Sequence, residues 1–151
     1  METPATGQSK RQTYKKLFKL TIGGGVAFWA ITIAISLTPI RAEFRAALSM
    51  SYVQTVLVEA LLGGLIIGCF VSYFLLRFFD KIPTKNPILK SVILGFVVYV
   101  IVMILLGVAA SRTSDALYVF LIGVTFNMPR FLALGIVIGY LYDRLNGRAL
   151  H

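Results

Sequence analysis

Four stretches of this chain are apolar for long enough to cross a bilayer, and that removes most folds from consideration. A spanning helix needs about 20 largely apolar residues to cross a hydrocarbon core of about 30 Å. Inside lipid every backbone polar group must find its partner within the structure, which leaves helices or closed barrels. Residues 20–37 carry no charge and stop at Pro39, and residues 53–76 contain Gln54 and Glu59. Residues 91–110 carry no charge, and residues 116–142 hold Arg130 near their middle. The pattern predicts an all-α fold, a four-helix transmembrane bundle. With 58% of the 151 residues hydrophobic and 14% charged, little chain remains for a soluble domain, so any function must lie in the bundle or its short connections. Residues 1–16 read as a disordered basic cytoplasmic tail and residues 17–151 as the membrane domain.

Orientation follows from the basic residues, which are retained on the cytoplasmic side near helix ends. With the amino terminus inside, that side holds Lys10, Arg11, Lys15, Lys16, Lys19, Arg77, Lys81, Lys85, Lys90, Arg144 and Arg148. The other side holds Arg41, Arg45 and Arg112. Eleven against three predicts a multi-pass protein of the plasma membrane with both ends cytoplasmic. The first apolar run is too long for a signal-peptide core, and Thr38-Pro39-Ile40 is a poor cleavage site. The formal charge of +9 is thus mainly topological. It suits anionic headgroups at the cytoplasmic face rather than nucleic acid, which calls for a basic patch on a soluble surface.

Chemistry has little to work with. Cys69 is the single cysteine, expected as a small buried residue of the second helix, and His151 is the single histidine. One of each offers neither a metal cluster nor a Cys-His or Ser-His nucleophile. No cofactor, no metal and no enzymatic activity are expected. The aromatic residues Tyr73, Phe74, Phe78, Phe79, Tyr140 and Tyr142 gather at the basic end, as an interfacial belt would.

Setting residue i against residue i+71 exposes an internal similarity. Lys19 meets Lys90, Gly24 meets Gly95, Arg41 meets Arg112, and Arg77 meets Arg148. Gly64 and Gly68 fall on Gly135 and Gly139 without a gap. This predicts two tandem hairpins, about 17–80 and 88–151, related by a pseudo-two-fold along the membrane normal. Small residues let helices approach in lipid, so Ala60, Gly64, Gly68, Gly135 and Gly139 are expected at helix contacts, within the chain or between copies.

The polar centre comprises Glu59, Asn127, Pro129 and Arg130. A charge deep in a spanning helix costs at least about 2.5–3.5 kcal/mol, so such groups usually face the bundle interior. Glu59 and Arg130 are equivalent under the repeat, which suggests an ion pair at matched depth. Pro129 deprives the Thr125 carbonyl of its donor, so a kink or break is expected there; a helix restarting at Asn127 would add partial positive charge beside Arg130. Gly123, Asn127 and Arg130 share one face by helical spacing. Two functions fit these residues. One is a non-catalytic accessory, assembly or scaffold protein whose charge pair fixes helix register. The other is a small oligomeric transporter or channel using Glu59 and Arg130. Either implies the lipid bilayer and a second copy or another membrane protein as partners. Residues 41–52 are expected to lie along the interface or to extend the second helix.

Overall fold

The computed structural model describes residues 4–39 and 53–147. Four helices fill it: α1 (Pro4–Ser36), α2 (Val53–Phe78), α3 (Pro87–Ala110) and α4 (Ala116–Gly147), with a 3-10 turn at Phe79–Lys81 after α2. Each is long and apolar enough to span a bilayer, over Gly7–Ser36, Leu57–Lys81, Pro87–Ala110 and Ala116–Gly147. The chain is an all-α, four-helix, multi-pass membrane protein. Its outward faces agree with that solvent: Phe70, Phe96, Ile104 and Leu105 are all more than half exposed, a pattern a water-soluble surface does not sustain. Arg41, Arg45, the segment 41–52, Arg148 and His151 lie outside the described residues.

The first helix begins earlier than its apolar run. Residues 4–16, expected to be disordered, are helical and continue into the span without a break. Good helix formers at Gln8, Lys10, Arg11, Gln12, Lys15 and Lys16 favour this. A tertiary contact anchors the extension, since the Lys16 ammonium donates to Asn146 Oδ1 near the end of α4. At the other hairpin, α3 starts abruptly because Asn86 Oδ1 accepts from Ile88 N at 2.9 Å and Pro87 occupies the first helical position.

The helices pack most closely in the order α2, α1, α4, α3, while α2 meets α3 and α4 only sparsely. Adjacent glycines on α1 make its two approaches possible. A Cβ on Gly25 would sit 3.1 Å from Leu65 Cα of α2, and one on Gly24 would strike Ile138 of α4. The core between the helices is thin, formed by Leu20, Phe28, Val71, Leu75, Tyr99, Met103, Phe131, Leu134 and Ile138.

Both hairpins bring a glycine pair of the second helix against the backbone of the first. In α2 a Cβ on Gly64 would lie 3.1 Å from the Gly25 carbonyl, and one on Gly68 would lie 3.1 Å from the Thr21 carbonyl. In α4 a Cβ on Gly135 would lie 2.9 Å from Val92 Cα, and one on Gly139 would lie 2.4 Å from Ile88 Cα. The register differs by one helical turn. Thr21 faces Gly68, yet Val92, which is 71 residues on from Thr21, faces Gly135 rather than Gly139. The glycine match is therefore kept along α2 and α4 but does not extend to how each meets its hairpin partner. The wider arrangement departs from a two-fold as well, because α1 packs closely on α4 whereas α2 and α3 do not pack comparably.

Candidate functional site: the intramembrane arginine

Arg130 lies on α4 about 21 Å along the helix from Ala116, on a turn whose other residues determine its surroundings. Phe131 is buried, while Met128 and Pro129 are exposed on the outward side. Arg130 is half-buried, and its Nη1 donates to Asn127 Oδ1 at 3.3 Å. Asn127 Nδ2 in turn donates to the Gly123 carbonyl at 2.8 Å. The guanidinium also lies 5.9 Å from the ring centre of Phe28 on α1, within reach of an electrostatic attraction to the ring face.

An aromatic layer surrounds this group. Phe28 meets Phe131 edge to face at 5.5 Å between ring centres, and Phe131 meets Tyr99 of α3 at 5.4 Å. The Tyr99 hydroxyl donates to the Val124 carbonyl at 3.1 Å, so the phenol's polar end is satisfied inside the bundle. Three helices thus converge at the level of Arg130. The cavity beside the layer measures about 60 Å³ and is lined by Val92, Phe96, Tyr99, Met128, Phe131 and Leu132.

Of the kink or break expected at Pro129, a break is not found: the helix is continuous from Ala116 to Gly147 with Pro129 inside it. Proline removes one hydrogen bond and crowds one turn. Here its ring faces outward, off the packed side, and the preceding turns gain side-chain bonds to backbone carbonyls. Besides Asn127 to Gly123, Thr125 Oγ1 donates to the Leu121 carbonyl at 2.9 Å.

Glu59 is not part of the centre. It is exposed on α2, and among the described residues no ion pair joins it to Arg130. The α1–α2 register fixes its depth: Gly68 opposes Thr21 and Gly64 opposes Gly25, so one turn further Ala60 falls opposite Trp29. Glu59 therefore lies near the level of Ala30, inside the uncharged run of α1, but on the side of α2 away from α1. Trp29 reaches across at this level, its Nε1 donating to the Leu57 carbonyl at 3.1 Å. Ala60 is half-buried, whereas Gly64, Gly68, Gly135 and Gly139 are buried at contacts within the chain. Cys69, expected inside the bundle, is exposed, because the buried face of α2 at this turn is taken by Gly68, Val71 and Ser72.

A second polar cluster was not singled out from the sequence. Lys90, at the start of α3, is buried at 5% exposure. Its ammonium donates to the Phe79 carbonyl at the end of α2 and sits 3.6 Å from the Phe79 ring centre. Phe79 stacks on Tyr142 of α4 at 4.6 Å. The available signal was that Lys90 is the basic residue nearest the apolar run of α3, where a lysine either snorkels or finds a carbonyl. Among the described residues no group of histidine, cysteine, aspartate and glutamate could hold a metal ion. No protein-family model, curated protein or solved structure matches this chain, so the site stands on its own geometry.

Proposed function

We propose that this chain is a non-catalytic membrane protein that works through helix packing, as an accessory or assembly subunit. Glu59 carries the reading. Its carboxylate stands on the outward face of α2 beside Val58 and Leu62, both more than half exposed, within the span that starts at Leu57, where a charge facing lipid is costly. A hydrogen-bond donor or cation on a neighbouring membrane helix would relieve that cost. One turn along, a Cβ on Gly63 would meet nothing within 4 Å, which leaves room for close approach. Transport by the Glu59 and Arg130 pair has less support, because the two are apart among the described residues.

In this reading the protein is a plasma-membrane protein with the basic end and both termini in the cytoplasm, and the shared glycine device is the trace of a duplicated hairpin. Reporter fusions after Lys85 and after the last residue should both read cytoplasmic; an external carboxyl terminus would overturn the orientation. For the function itself, the chain should be purified from native membranes in mild detergent and its mass measured. A stoichiometric second polypeptide that is lost on Glu59→Ala supports the proposal. A lone chain of monomeric mass overturns it.

A further inference from the structure

The basic residues of α1 follow the topological bias, but their alignment on one side of the helix is a separate feature. α1 contains no aspartate or glutamate, so Arg11, Lys15 and Lys19 have no carboxylate on their own helix. Arg11, Lys15 and Lys19 follow one another at four-residue spacing, where like charges on a helix repel. Lys16 turns the other way, to Asn146. The three stacked cations line a groove of about 1090 Å³ together with Tyr14, Phe18 and, from α2, Cys69. A smaller groove of about 320 Å³ adjoins it through Lys10, Tyr14 and Leu17 and adds Tyr73 and Arg77 of α2.

We propose that this groove binds an anionic glycerophospholipid, with the headgroup phosphate on Arg11, Lys15 and Lys19. The chemistry is graded along the helix, and the grading selects the ligand. In line with Phe18 and past Lys19, α1 presents the exposed apolar residues Ile22 and Val26, a stripe that continues from the groove into the span. A phosphate at one end of a molecule and an acyl chain at the other match that order, while a free anion would leave the stripe unused. Tyr14 and Phe18 stand among the three cations, at the level that aromatic side chains favour at a membrane surface. The inference is independent of the partner-helix reading, since it involves the opposite end of α2 from Glu59.

The test uses the full chain in nanodiscs of phosphatidylcholine doped with phosphatidylglycerol, with retained lipid counted by native mass spectrometry after release. Wild type should retain phosphatidylglycerol over phosphatidylcholine. The triple variant Arg11→Gln, Lys15→Gln, Lys19→Gln should lose that preference, by about fivefold per residue and on the order of a hundredfold in all. A control triple variant at the same end, Lys81→Gln, Lys85→Gln, Arg144→Gln, should keep it. Lys15→Gln alone, expected to lose about fivefold, serves if the triple variant does not fold. Equal retention of both lipids by wild type would overturn the site. So would an equal loss in the control variant, which would mean diffuse surface attraction. Competition by inorganic phosphate as strong as that by the lipid would assign the cations to a free anion and overturn the lipid.

Discussion

α2 and α4 begin alike and end in different surroundings. Each carries two glycines one turn apart that seat it on its hairpin partner, and each carries a charge five residues before the first glycine. At about 100° per residue that charge points roughly 140° away from the first glycine and 180° from the second. It must therefore face away from the hairpin partner in both helices. On α4 the far side is covered by α1, so Arg130 meets Phe28 and keeps Asn127 as its acceptor. On α2 no described helix packs closely on the far side, so Glu59 is exposed. The same local sequence logic gives an enclosed charge or a displayed one, according to whether a helix has two neighbours or one.

The sharpest way to break this comparison is at the glycines. Gly139→Ala should cost about 3 kcal/mol, because its Cβ would meet the Ile88 backbone at 2.4 Å and backbone cannot rotate away. Gly68→Ala, at 3.1 Å from a carbonyl, should cost about 1 kcal/mol. Thermal unfolding of both in one detergent decides it, and equal losses would erase the one-turn difference in register. The covered face of α4 comes next. Leu134 is fully buried against α1, and Leu134→Ala should lose about 2–3 kcal/mol, read as the shift in midpoint on titration with a denaturing detergent.

The charges themselves sharpen the contrast at smaller cost. A double-mutant cycle between Asn127→Leu and Arg130→Gln should give a coupling of about 1 kcal/mol. The cycle between Glu59→Gln and Arg130→Gln should fall within about 0.5 kcal/mol of zero. A strong coupling in the second cycle would restore the ion pair that the sequence suggested. The smallest effect is expected at Gly63, the position equivalent to Leu134 under the 71-residue alignment. Gly63→Ala should be neutral or stabilising by up to about 1 kcal/mol in the isolated chain, since its Cβ meets open space and alanine favours the helix. A loss of yield would mean that the bare side of α2 is covered in the monomer.

Helix number, the polar character of Asn127 and Arg130 and the use of the glycines were legible, because each depends on local pattern: apolar length, helical spacing and side-chain size. The partner of Arg130 was not legible. The inferred ion pair relied on equal depth, which repeat equivalence supplies, and overlooked azimuth, which the glycine stripe already encoded. With Gly64 and Gly68 facing α1, helical spacing puts Glu59 on the outward side. The helical start of α1 was hidden for another reason. Residues 4–16 lack an apolar stripe, and their helicity draws on continuity with the span and on the Lys16 contact to Asn146, which is 130 residues away. The continuity of α4 through Pro129 depended on where the ring points, a property of packing that composition does not carry.

Lys90 gives the bundle a mechanical character. Its grip on the Phe79 carbonyl, the stacking of Phe79 on Tyr142 and the bond from Lys16 to Asn146 fasten all four helices at one end. The two hairpins are thus clasped at the basic end by polar and aromatic contacts, in addition to the α1–α4 packing that continues to Phe28 and Phe131.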